Sequence, residues 1–191
     1  MKLCLLTFNI AREWDLDKLI KMSKELGFAG LEFRTEQNHK HGVELQTNKD
    51  ERRAIREKIE DAYLEAVGIA TPCRFEYQDE KLRKENIEKV KKYVELAADI
   101  DASIIRVFGN KFEEGADRLT TIKWVGEALA ELIEFARPYN VQILLEMHGD
   151  LNYWKYAIKA LEYSGVPDAG LVYNSDLRDM VGGSIKETYS H

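Results

Sequence analysis

Two rhythms of apolar and polar positions take turns along this chain. Short apolar runs with the two-residue period of a strand give way to longer stretches in which apolar residues return every three or four positions, as on one face of a helix. "LCLLTFN" (3–9) leads to a helix starting near Asp15, with Leu16, Leu19, Ile20 and Ser23 at helical spacing and Gly27 as its C-cap. "GLEFR" (30–34) leads through a polar loop to "NKDERRAIREKIEDAYLEAVG", where Asn48 and Glu51 form a capping pair, Ile55, Ile59 and Ala62 face the core, and Gly68 closes the turn. "IATPCRF" (69–75) precedes a helix over about 84–98 with the stripe Ile87, Val90, Val94 and Ala97. "SIIRVFG" (103–109) precedes one carrying Ile122, Val125, Leu129, Leu132, Ile133 and Ala136 on one face. "VQILLEM" (141–147) leads to a helix over about 151–163 ended by Gly165, and "AGLVYNS" (169–175) opens a sixth unit whose helix begins in "GSIKETYSH".

Each alternation takes on the order of 30 residues, the size of a βα unit. Apolar strands covered by amphipathic helices predict an α/β fold with a parallel sheet, either closed as a barrel or open and doubly wound. No strand runs into GxGxxG or GxxxxGK[ST], so the common nucleotide-binding open sheets lose support. Neither a low-complexity tract nor a Pro/Gly-rich linker interrupts residues 1–191, which predicts a single domain.

Composition narrows the function. The 191 residues are 45% hydrophobic and 32% charged, enough for one sizeable core. A net charge of -6 argues against a general nucleic-acid partner, because phosphate contacts need clustered Lys and Arg. The N-terminal apolar run is cut short by "AREWD" and no run of about 18 apolar residues follows, so neither a signal peptide nor a membrane span is expected and the location reads as cytoplasmic. Cys4 and Cys73 fall in strand-like runs and read as buried, reduced thiols.

Chemistry enters at the strand ends. In "ILLEMHGD" (143–150), Leu144, Glu146 and His148 share one face of a strand while Leu145 and Met147 share the other. The same parity places Thr7 and Asn9, Glu32 and Arg34, Arg106, and Asn174 with Asp176 at the C-terminal ends of their strands. Polar groups gathered at that one end are the pattern of a βα barrel, whose βα loops carry function. A glutamate ending a strand is equally at home as a solvated rim residue or as the partner of an arginine, here Arg106.

In order and spacing, "FNI", "LGFAGLEFR", "HKHGVEL", "IIRVFG", "ILLEMHGD" and "GLVYNSD" resemble the xylose isomerase-like TIM barrels, in particular the sugar phosphate isomerase/epimerase group. The resemblance runs over nearly the whole chain. It implies one divalent metal, Mn²⁺ or Mg²⁺ by its oxygen-rich ligands with Co²⁺ and Zn²⁺ as alternatives, held by groups from strands five to eight. It puts Glu146 in the first ligand slot and makes it a catalytic acid/base, with Asn174 in the second slot and Asp176 as a compensating ligand. Asn174 stands where the family carries Asp, a weaker ligand for a hard cation. The resemblance also implies that His148, Arg106, Arg34, His41 and Asn9 contact the substrate. The expected reaction is proton transfer next to the carbonyl of a small sugar or keto-sugar.

A complete barrel usually takes about 250 residues. Six units in 191 residues therefore predict an incomplete (β/α) TIM-type barrel lacking strands seven and eight, with weak or no activity in the chain as given and an open edge that a homo-oligomer would cover. Two rivals stand beside the isomerase reading: a non-catalytic partial barrel that binds a ligand or partner subunit, and an apurinic endonuclease-like enzyme. The latter needs more metal ligands than the four histidines His39, His41, His148 and His191 suggest.

Overall fold

The computed structural model describes residues 2–175 and 185–190. Six strands, β1 (Cys4–Leu6), β2 (Gly30–Arg34), β3 (Glu65–Arg74), β4 (Ile104–Phe108), β5 (Gln142–Glu146) and β6 (Gly170–Val172), hydrogen-bond in chain order. Helices α1 (Leu16–Leu26), α2 (Lys49–Asp61), α3 (Glu80–Asp99), α4 (Arg118–Ala136) and α5 (Trp154–Ser164) follow the first five strands, and a short α6 (Ile185–Tyr189) follows the sixth. This is the parallel βα succession that the two rhythms of the sequence predict.

Contacts within the chain gather into two compact units. The first comprises Met1–Pro72, Lys92–Ile105 and Pro138–Gln142; the second comprises Cys73–Lys91, Arg106–Arg137 and Ile143–His191. In the first, β1 pairs parallel to β2 and β2 to β3, with Leu19, Leu31, Phe33, Ile59, Ile69 and Ile105 almost fully buried. The Asp15 carboxylate caps α1 by accepting the Lys18 N–H, and Gly27 ends the helix in the left-handed region at φ 77°. The capping pair on α2 forms reciprocally: Asn48 Oδ1 accepts the Asp50 and Glu51 N–H groups while the Glu51 carboxylate accepts the Asn48 N–H.

Gly68 does not close the turn after α2, as the sequence reading expects. The turn is made earlier, by Tyr63 at φ 58°, and Gly68 lies inside β3, where a Cβ would sit 2.9 Å from the Ile104 carbonyl oxygen. Its neighbour Val67 is the extra residue of a bulge, because Leu31 faces Ala66 and Glu32 faces Gly68. Two other expectations shift: α3 begins at Glu80 rather than near residue 84, and Cys4 is exposed, so only Cys73 is a buried thiol.

In the second unit α4 packs along α5, and every residue of its expected stripe from Ile122 to Ala136 is buried. β5 pairs parallel to β6, with Leu144 opposite Gly170 and Glu146 opposite Val172. The alternation in β5 is as the parity predicts: Ile143, Leu145 and Met147 are buried, whereas Leu144, Glu146 and His148 are half-buried. The helix expected from residue 151 is preceded by a 3-10 turn over Gly149–Asn152, so α5 starts at Trp154.

Candidate functional site

The end of β5 breaks from apolar to polar because one face of the strand remains half-open to solvent while the other is sealed. Glu146, on the open face, is 18% exposed at its side chain, and Arg106 from β4 is 6% exposed. The Arg106 Nε–H donates to Glu146 Oε2 at 2.8 Å, and the guanidinium carbon lies 4.0 Å from the centre of the Phe108 ring. A buried guanidinium is costly without a carboxylate partner, and each group here offsets much of the other's desolvation. On the other carboxylate oxygen, Asn174 Nδ2–H donates to Glu146 Oε1 at 3.3 Å. His148 Nδ1 stands 3.8 Å from the same oxygen, beyond hydrogen-bond length, and its ring rests on Phe108 with centroids 4.9 Å apart. Four of the site residues expected from the sequence therefore meet around one carboxylate.

The loop behind them is tied to the loop that follows β4. Gly149, immediately after His148, has φ 60°, and a Cβ there would lie 2.7 Å from the Asn110 carbonyl carbon, so both backbone conformation and space exclude a side chain. The Asp150 N–H donates to the Asn110 carbonyl at 3.1 Å, and Asp150 Oδ2 accepts the Phe112 N–H at 2.8 Å. Asn152 closes the turn by donating from Nδ2 to the Met147 carbonyl at 2.9 Å.

One residue here is absent from the sequence-level set. Glu76, two residues beyond β3, is only 2% exposed, with Arg74 Nη1 3.4 Å from its Oε1. Burial pushes its carboxyl up to about 7, and the nearby Glu113 pushes the same way; its own backbone N–H, Arg74 and Asn110 oppose the shift. The signal existed in "CRFE", where a carboxylate follows the arginine by two positions at the end of an apolar strand, as His148 follows Glu146.

In the first unit, Arg34 and His41 are also brought together, through backbone. Thr7 Oγ1 accepts the Arg34 N–H at 2.9 Å, and Arg34 Nη1–H donates to the Ala70 carbonyl at 3.1 Å. The Val43 N–H donates to His41 Nδ1 at 3.0 Å, which leaves the ring hydrogen on Nε2, facing the Arg34 carbonyl at 3.0 Å. Burial lowers the His41 pKa to about 4, so the ring is neutral with both nitrogens committed to the backbone. Asn9 lies exposed in the bend after β1. Asp176 falls outside the described residues.

For a divalent cation, the Glu146 carboxylate and the Asn174 side-chain amide are oxygen donors close enough to share one ion, once the amide turns its carbonyl oxygen toward Glu146 Oε1. They fit as one side of a hard-cation site. Among the described residues no group of three or more His, Cys, Asp or Glu is assembled to hold a metal ion, and no helix is long and apolar enough to cross a membrane.

The model of the xylose isomerase-like TIM barrel family matches residues 20–173. No curated protein sequence matches the chain significantly. Several solved structures share the fold. A D-psicose 3-epimerase crystallised in the presence of D-fructose aligns with a TM-score of 0.74 at 14% identity, over 90% of this chain and 62% of that one. An IolI protein with a bound zinc atom aligns at 0.75 and 20% identity, over 90% and 62%. The 3-keto-D-glucoside 4-epimerase YcjR from E. coli aligns at 0.72 and 15% identity, over 90% and 67%. The chain thus spans about three fifths of the length of the first two, and at these identities the likeness is one of fold.

Proposed function

Because this chain belongs to the xylose isomerase-like TIM barrel family, we propose that it serves a divalent-metal-dependent isomerase or epimerase of a small sugar or keto-sugar, with Glu146 as the acid/base. The observation that carries this reading is the convergence of Arg106, His148 and Asn174 on the Glu146 carboxylate at one strand end. Similarity of fold to sugar epimerases supports the substrate class.

In this reading Glu146 takes the proton from the carbon next to the substrate carbonyl, and the electron pair of the broken C–H bond moves into the C–C bond as the carbonyl becomes an enolate. Returned to the neighbouring carbon, while the proton of the adjacent hydroxyl passes to the former carbonyl oxygen, that proton completes an isomerisation; inversion at the original carbon needs a second acid on the opposite face. Arg106 fixes the orientation of Glu146 through Oε2, so Oε1 would be the oxygen that takes the proton. His148, half-buried on Phe108, would bind a substrate hydroxyl. Glu146 and Asn174 would hold the metal, which when bound supplies polarisation of the substrate carbonyl and hydroxyl oxygens.

The test is solvent exchange. The chain is incubated with Mn²⁺ and a panel of ketoses in D₂O, and deuterium uptake beside the carbonyl is followed by NMR. Wild type is expected to exchange and Glu146→Gln to lose at least a hundredfold of the rate. Equal rates in the two would count against the reading; no exchange with any ketose would leave the chain as given with the non-catalytic reading. The 2.8 Å Arg106–Glu146 pair also suits a second reading, a non-catalytic ligand-binding barrel in which this pair is structural; sugar binding without exchange is its signature.

A further inference from the structure

We propose that Glu76 is a positioning residue for the Glu146–His148 strand end, acting through Asn110. This builds on the reading that the β5 end is the site, but its geometry stands apart from any substrate. The Glu76 side chain is almost fully buried, and its Oε2 has no hydrogen-bond partner. The Asn110 side-chain amide lies beside this carboxyl and favours its charged form. Asn110 is held in turn at φ 45° between two fixed points. Its carbonyl accepts the Asp150 N–H, and its backbone and Oδ1 lie so close to Gly149 that a Cβ on that glycine would be 2.7 Å from the Asn110 carbonyl carbon and 3.0 Å from Oδ1. Gly149 directly follows His148. One side-chain amide and one tight backbone contact therefore connect the buried carboxyl to the turn that carries the site histidine.

The connection responds to charge. An ionised Glu76 must recruit donors for two oxygens, and the groups within reach are the Asn110 amide and the Arg74 guanidinium. Arg74 is shared: its Nε–H donates to the Tyr77 hydroxyl, and its ring contact with Tyr77 holds the guanidinium in place. Glu113, from the loop after β4, opposes ionisation, and its carboxylate is itself engaged by the Gln78 N–H at 2.7 Å. Asn86 from α3 faces Arg74 as an uncharged acceptor of its backbone N–H. Asn110 is thus the element that adjusts when Glu76 loses its proton. Because the Asn110 carbonyl accepts the Asp150 N–H and Gly149 lies too close to Asn110 to carry a Cβ, that adjustment reaches Gly149 and Asp150.

Amide NMR across pH 5.5–8.5 tests this, in a His148→Gln background that removes the histidine's own titration. The Gly149 and Asp150 amide signals are expected to shift together with a midpoint near 7, and Glu76→Gln to abolish the transition. A transition that persists in Glu76→Gln, or that is absent from the background, overturns the proposal. Should Glu76→Gln fail to fold, Asn110→Gly carries the test, since glycine suits the positive φ and removes only the amide. Carbon NMR should then show the Glu76 carboxyl still titrating while Gly149 and Asp150 no longer follow it; continued following overturns the proposal. No substrate enters these measurements, so a chain that shows the coupled shifts but exchanges no ketose proton would exclude catalysis by this chain and leave this proposal standing.

Discussion

Arg106 donates its Nε–H to Glu146 Oε2 at 2.8 Å while lying over Phe108, so one guanidinium is satisfied by a carboxylate on its edge and an aromatic ring on its face. Replacing it with methionine, of similar length and no charge, leaves Glu146 without its strongest partner. Breaking a buried pair costs about 3–5 kcal/mol, and the 18% exposure of Glu146 reduces this to roughly 2 kcal/mol. Urea denaturation at pH 7 measures the loss. In a double-mutant cycle with Glu146→Gln, the two losses should not add; strict additivity would show that the contact contributes nothing.

The same carboxylate should govern metal affinity. Calorimetric titration with Mn²⁺ is expected to detect binding that Glu146→Ala removes and Asn174→Ala weakens about tenfold. Asn174→Asp should tighten it, because a carboxylate is a better ligand than an amide for a hard cation. An unchanged isotherm for Asn174→Asp would remove Asn174 from the ligand set.

Two buried groups should give the stability profile opposing slopes. Glu76 has a folded pKa raised to about 7, so between pH 4.5 and 7 the folded chain binds the extra proton and stability falls as pH rises, by about 3 kcal/mol in all. His41 has a folded pKa lowered to about 4, so between pH 4 and 6.5 the unfolded chain binds the extra proton and stability rises with pH by a similar amount. Thermal melts from pH 4 to 8 should show these contributions nearly cancelling in wild type. Glu76→Gln should unmask the rising limb; a profile identical to wild type would refute the assignment.

Gly126 provides a test of the α4–α5 contact. In an exposed helix interior, replacing glycine by alanine stabilises by about 1 kcal/mol. Here a Cβ would fall 2.6 Å from the Ala160 carbonyl oxygen and 2.6 Å from Tyr163 Cβ. Gly126→Ala is therefore expected to destabilise, by about 2 kcal/mol, because two helices must separate to admit one methyl group. A stabilised variant would mean that the close approach is not maintained in solution.

The alternation of strands and helices, their caps and their buried stripes were legible in the chain itself. They depend on local rules: Asn48 with Glu51, Gly27 after α1, and the 143/145/147 face of β5 each follow from the spacing of neighbours along the backbone. The neighbourhood of Glu146 was partly legible for the same reason, since strand parity says which side chains share an end. Assignments that depend on where a second segment lies needed the fold. Gly68 reads as a turn until Ile104 is seen against it, and Cys4 reads as buried until its strand is placed. His41 reads as a substrate contact, and only the fold shows its ring nitrogens engaged by the Val43 N–H and the Arg34 carbonyl. Glu76 is one acidic residue among 34 Asp and Glu in the sequence, and only the burial and neighbours supplied by distant segments set it apart, because desolvation depends on what surrounds a group in space rather than along the chain.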